Sequence, residues 1–297
     1  MSLGNLLEIL LPVSIFTYCF FSTRLLDDCL PGYCVKSFSL WEKYPFLKTA
    51  IEIAVMFTGY ELIRVLVAML YDSSTIPFDN AAMVISFEKN YLKFMNEHTL
   101  QTWALQYEWL IFSFNHFYKL SHWTSCAIFV AYFFIYKRSH FHLVKYWFIV
   151  ANLVAFSLFV FFPLAPPRLV AELSILDTIR LLESYAPSGS LVNQFAAMPS
   201  MHFGYSLLFT IAYLHYGNLN SESIPREKLY HILRSLPIIF YPIFMLLCIV
   251  VTGNHFFLDA MVASLVVILS LFIVLPFRSW SIDSSKSFLP SSHVLEM

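Results

Sequence analysis

The chain has 297 residues, of which 59% are hydrophobic and only 12% charged, about half the charged share of a soluble domain. Too little polar surface remains to coat a water-soluble globule, and a net charge of -1 provides no basic field for nucleic acid. The apolar residues also cluster into runs long enough to cross a hydrocarbon layer of about 30 Å. Both features predict an all-α integral membrane protein.

In chain order the runs predict transmembrane helices at 3–21, 46–70, 118–136, 143–163, 201–217, 236–253 and 255–277, seven in all. The first has no basic residue ahead of it and no small-residue cleavage site, so it reads as a retained helix. The chain then divides into an N-terminal helix with a cytosolic loop at 1–45, a membrane domain at 46–277 and a disordered, serine-rich tail at 278–297. Between the second and third spans, Phe87, Tyr91, Phe94 and Trp103 alternate with Glu88, Lys89, Lys93, Glu97 and Gln101. That mixture predicts amphipathic helices in the membrane interface. They read either as a lid or as helices that merely pack on the bundle.

Lysine and arginine set the sidedness. Eleven lie in the connections 22–45, 137–145 and 218–235 and in the tail, against five in 71–119 and 164–200. The first set is therefore expected to be cytosolic, which puts the C-terminus in the cytosol. Cys19, Cys29, Cys34, Cys126 and Cys248 are odd in number and lack the paired spacing of a zinc site. Three of them lie in apolar runs and read as packing residues. No metal-ligand cluster and no cofactor is expected.

Three segments place polar groups at helix ends on the non-cytosolic side: Pro166-Pro167-Arg168-Leu169, Met198-Pro199-Ser200-Met201-His202 and Thr252-Gly253-Asn254-His255 with Asp259. Residues four apart share a helix face, so Asp259 can hold one ring nitrogen of His255 and leave the other as a nucleophile. Ser200 is placed to cap the next helix, whose first turn suits a phosphate. His202 in that turn can protonate a departing alkoxide. Arg168 offers a planar fork for two phosphate oxygens. Taken singly, a membrane histidine is as often a packing residue, and a lone arginine snorkels. The three segments in order, on one face, carry the functional reading.

At these residues the sequence resembles the type 2 phosphatidic acid phosphatase superfamily, closest to the branch of fungal inositol phosphorylceramide synthases and related bacterial membrane proteins. Pro-Pro-Arg-Leu, Met-Pro-Ser-x-His and Thr-Gly-Asn-His-x-x-x-Asp all occur here, and weaker likeness extends to Tyr60, Arg64, Glu88, Glu97, Asn115, Tyr118 and His122. The resemblance implies a six-helix phosphatase-type bundle, with one additional N-terminal helix in this chain, and metal-free chemistry. It implies His255 as the phosphohistidine nucleophile, Asp259 as its orienter, His202 as the acid and Arg168 as a phosphate ligand. Phe161, Ile249 and Met201 stand where the broader pattern has lysine, arginine and glycine. Arg64, Arg180, Lys119 and His122 are the cations available to compensate.

The expected substrate is a lipid phosphate or phospholipid, with either an alcohol as acceptor, as in inositolphosphotransferase action on sphingolipids, or water. The location implied is the endoplasmic reticulum or Golgi membrane, or the plasma membrane in a bacterium. A reading of another class is a non-catalytic lipid-binding or transport protein, with Glu52, Glu61 and Arg64 along its path.

Overall fold

The computed structural model describes residues 45–71, 73–182, 194–218 and 225–277. The predicted span 3–21, the loop with Cys29 and Cys34 and the tail 278–297 lie outside these residues, as do the side chains of Tyr60, Glu61, Arg64 and His122. The chain forms two compact units. One is represented by α1 (Pro45–Tyr71), a 27-residue helix that opens on a proline, where the missing N–H costs nothing.

The second unit is helical throughout its described residues, apart from one isolated parallel bridge between Leu164 and Ala196. It contains α2 (Ile76–Tyr91), α3 (Glu97–Ala104), α4 (Glu108–Tyr136), α5 (Arg138–Phe161), α6 (Thr178–Leu182), α7 (Met201–Ala212), α8 (Pro225–Val251) and α9 (Phe257–Val274). A π-helical stretch, Tyr213–Asn218, continues α7. Among the described residues two segments, Ser139–Phe161 and Phe257–Val274, are long and apolar enough to cross a membrane. The predicted spans 118–136 and 236–253 are the apolar parts of longer helices. α4 and α8 each begin about ten residues earlier than hydropathy suggests: α8 opens in polar turns, from Pro225 to Lys228, and in α4 Glu108, Asn115 and His116 interrupt an apolar start.

α9 shows why this unit belongs in hydrocarbon. Ala260, Ala263, Val267, Ser270 and Val274 recur every three or four residues and are buried, whereas Leu265, Ile268, Leu269 and Phe272 are exposed. A helix apolar on both faces has one side for the bundle and one for lipid. The small residues let α5 approach closely, and the Trp147 indole of α5 donates to the Val267 carbonyl at 2.8 Å. The Tyr205 hydroxyl of α7 donates to the Asn152 side chain of α5. α8 carries Pro237 and Pro242 inside its length. Pro242 leaves the Ile238 carbonyl without its usual helical donor, and the Thr210 hydroxyl of α7 lies 2.8 Å from that oxygen. Cys126 and Cys248 are buried free thiols, as expected of packing residues.

The amphipathic segment is present as α2 and α3, but its polarity is turned inward. Tyr91 and Phe94 are 71% and 80% exposed, whereas Glu88, Glu97 and Gln101 are 4%, 8% and 2% exposed. Its outer surface is apolar and its carboxylates and amide face the protein.

Candidate active site

The turn between α8 and α9 carries Thr252 to Phe256, and local chemistry dictates its shape. Gly253 has φ +70°, and a Cβ there would stand 2.9 Å from Ile175 and 3.2 Å from the Arg168 Cβ. Only glycine serves at such a position. The Gly253 carbonyl accepts the Arg168 N–H at 3.0 Å. The Arg168 side chain donates from Nη1 to Asn254 Oδ1 at 2.5 Å and pairs through Nε with Asp177 at 3.3 Å. Asn254 in turn donates to Thr252 Oγ1 at 2.8 Å. The Thr-Gly-Asn part of the motif is therefore a cradle for the arginine.

His255 follows, and α9 begins two residues after it, at Phe257. The histidine therefore lies in the turn and not on the helix face expected from the four-residue spacing. The contact with Asp259 still forms, because the turn folds back over the first helical residues. His255 Nδ1 lies 2.8 Å from the Ala197 carbonyl and 3.3 Å from Asp259 Oδ2. Both are acceptors, so Nδ1 must carry the hydrogen and Nε2 keeps its lone pair. Asp259 Oδ2 also accepts the Phe256 N–H at 2.9 Å. Burial, with a smaller contribution from the Arg168 charge, lowers the His255 pKa from 6.5 to about 3, against a raising hydrogen bond to Ala197. The ring is neutral throughout the physiological range.

The bridge Leu164–Ala196 and the bonds around it set the second segment beside this turn. Leu164 N–H donates to the Phe195 carbonyl at 2.7 Å, and Ser200 N–H reaches the Asp259 carbonyl at 3.2 Å. Ser200 precedes α7 as expected, but its hydroxyl caps nothing. It is buried and has no hydrogen-bond partner in the protein, while its backbone carbonyl begins the helical ladder at Gly204 N–H, 2.8 Å away. An orphan buried hydroxyl is costly unless something completes it. His202 stacks on Tyr118 of α4 with centroids 4.2 Å apart, and its ring centre is 6.4 Å from that of His255.

All five candidates, Arg168, Ser200, His202, His255 and Asp259, thus converge from three segments. Two partners, the Ala197 carbonyl and Asp177, were not singled out from sequence; Asn254 and Tyr118 were named there without these roles, and Tyr118 lies within electrostatic reach of Arg168. A backbone carbonyl has no side-chain signature, whereas Asn254 stood inside the motif and was legible. Of the compensating cations, Arg180 reaches the same Asp177 oxygen as Arg168, at 3.7 Å. Ile249 is fully buried, and its carbonyl receives the N–H groups of Asn254 and His255. Phe161 is 84% exposed, so neither position supplies a charge here. Among the described residues no group of three or more His, Cys, Asp or Glu side chains is arranged to hold a metal.

A family model for the PAP2 superfamily matches residues 82–273, which include every one of these residues. The chain belongs to the PAP2 superfamily. Members are membrane phosphatases and phosphotransferases that act on lipid phosphates. No curated protein and no solved structure matches the chain. Family membership and the apolar helices together make this a membrane protein.

Proposed function

We propose that the protein transfers a phosphoryl or phospho-headgroup from a lipid through a phosphohistidine at His255. The observation that carries this reading is the pair of rings 6.4 Å apart, one held by Nδ1 with Nε2 free. In the first step His255 Nε2 bonds to phosphorus, the bond from phosphorus to the leaving oxygen breaks, and His202 gives that oxygen its proton. In the second step an acceptor hydroxyl loses its proton to His202 and attacks phosphorus, and the P–N bond breaks. Asp259 and the Ala197 carbonyl stabilise the imidazolium character that develops on His255. Arg168 and the Ser200 hydroxyl take phosphate oxygens, a role that suits a buried hydroxyl with no hydrogen-bond partner in the protein. No step calls on a metal.

An alcohol acceptor makes the protein a synthase of the inositolphosphotransferase kind acting on sphingolipids, and water makes it a lipid phosphatase. The likeness of its three motif segments to inositol phosphorylceramide synthases favours the first. The lysine and arginine distribution supports a site on the non-cytosolic face, and the likeness of the motifs supports an endoplasmic reticulum or Golgi membrane, or the plasma membrane in a bacterium. Incubating the purified protein with phosphatidic acid labelled in its phosphate, with chelator present, is expected to leave acid-labile label on the wild type. Equal labelling of His255→Ala would refute the assignment. Adding ceramide and labelled phosphatidylinositol then separates the two acceptors.

A further inference from the structure

The start of α9 has an unusual cap. The first N–H groups of a helix have no partner within it and are commonly met by a Ser, Thr, Asp or Asn just before it. Phe256 occupies that place and has no side-chain acceptor. Two glutamates from distant helices serve instead. Glu97 Oε1 of α3 accepts the Phe257 N–H at 3.2 Å, and Glu88 Oε1 of α2 accepts the Leu258 N–H at 2.7 Å, across 160 and 170 residues of sequence. Both side chains are buried, and the adjacent N–H groups that they hold bring them together, where a second negative charge is costly. His255 stands two residues before the clamped N–H groups.

We propose that Glu88 and Glu97 are a pair that positions the His255 turn, holding the start of α9 from the interfacial helices α2 and α3. The proposal rests on His255 as the reacting group. Neither glutamate touches the reacting atoms, so both are positioning residues. The pair also closes the start of α9 to phosphate, which leaves Arg168, Ser200 and the start of α7 to hold the anion.

The pair makes positioning sensitive to pH. Burial, then the charge and hydrogen bond of Glu97, raise Glu88 from 4.5 to about 9. The charged groups facing it are Glu97 on α3 and Asp259 on α9, with neutral His255 beyond Asp259. None of them favours its ionised form, and only the Leu258 N–H does. As pH rises through this range Glu88 ionises beside Glu97 and Asp259, and the clamp loosens.

The test uses the full chain in lipid vesicles, labelled phosphatidic acid as substrate, and three proteins: wild type, Glu88→Gln and Glu88→Leu. The wild-type kcat is expected to fall on the alkaline side. Glu88→Gln keeps an acceptor for Leu258 and a donor for Glu97, so it should work near neutral pH and lose the alkaline fall. Glu88→Leu should lower kcat by about 100-fold with KM little changed, the cost of misplacing a reacting group by an ångström. An unmoved alkaline limb in Glu88→Gln, or wild-type turnover in Glu88→Leu, overturns the proposal. Hydrogen exchange at Phe257 and Leu258 should quicken in Glu88→Leu, and unchanged exchange overturns the clamp whatever the substrate. Label persisting on His255→Ala would instead count against the phosphohistidine reading, and the exchange measurement keeps the two failures apart.

Discussion

His255 and His202 face each other across one site, and the protein treats them differently. His255 is almost wholly buried, held at Nδ1 by two acceptors and fixed in a turn whose glycine admits no side chain. His202 is half-buried in the first turn of α7 and lies flat against Tyr118. A nucleophile gains from a fixed tautomer and a dry surround, because its attacking lone pair must be in place before the substrate arrives. A group that gives a proton and takes it back needs access to leaving group and acceptor in turn. The contrast fits the proposed division of roles, which residue type alone, two histidines, does not supply.

The largest expected effect breaks the pair at its fixed member. His255→Ala should lower turnover by at least ~10⁴-fold, since removal of a nucleophile in a linked catalytic set costs on that order or more, and should abolish acid-labile label. His202→Ala should cost about 10³-fold with phosphatidic acid, within the range for loss of a general acid. On a p-nitrophenyl phosphate ester, whose leaving group needs no proton, it should release its first nitrophenol nearly as fast as the wild type, while turnover stays slow because the second step still lacks its base. An equal burst from His255→Ala on the same ester would erase the distinction between the rings.

Asp259→Asn sharpens the contrast within His255 itself. In a site where the carboxylate alone sets the tautomer, this change costs about 10⁴-fold. Here the Ala197 carbonyl already takes the Nδ1 hydrogen at the shorter distance, 2.8 Å against 3.3 Å. The tautomer should survive and the loss should be only ~10–100-fold, seen in kcat. Ser200→Ala is expected to be milder still: about tenfold in kcat/KM, the worth of one hydrogen bond to a charged group. Because its hydroxyl has no hydrogen-bond partner in the protein, the thermal midpoint of that variant should not fall.

The two histidines also show what the sequence makes legible. The catalytic segments were readable because the residues carry their chemistry in their side chains and recur in a fixed order at helix ends. Asp259 was legible as a partner because an unpaired carboxylate one turn into an apolar helix is too costly to stand alone. Helix starts were less so: α8 begins in polar turns that hydropathy passes over, and α4 in an apolar stretch broken by Glu108, Asn115 and His116. Ser200 was read as a cap on residue type, yet its hydroxyl caps nothing. α2 and α3 were recognised as amphipathic from composition, but composition does not say which face is inward. In hydrocarbon-facing surroundings their aromatic residues turn outward and Glu88, Glu97 and Gln101 turn in, the reverse of a soluble helix. Gln101 then bonds Leu176 at both N–H and carbonyl and reaches the Val251 carbonyl, at 2.8–2.9 Å, which ties the Arg168 loop to the end of α8.

The smallest expected effects are on stability, and they separate the buried histidine from the buried glutamate by the sign of their pH dependence. His255 has a folded pKa lowered from 6.5 to about 3, so an unfolded chain takes up a proton that the folded one refuses. Its contribution is complete above pH 6.5 and is lost as pH falls toward 3, with a slope of at most about 1.4 kcal/mol per pH unit. Glu88 runs the other way: the folded state keeps a proton that the unfolded one releases. Its contribution is complete below pH 4.5 and is lost as pH climbs toward about 9. Thermal midpoints of the purified chain from pH 4 to pH 9 should therefore decline at both ends. Glu88→Gln should flatten the alkaline decline alone. His255→Gln, whose amide still donates to Ala197, should flatten the acid decline alone. If His255→Gln leaves the acid side as steep as in the wild type, the ring is not held neutral, and the contrast between a fixed, dry nucleophile and an accessible acid loses its electrostatic half.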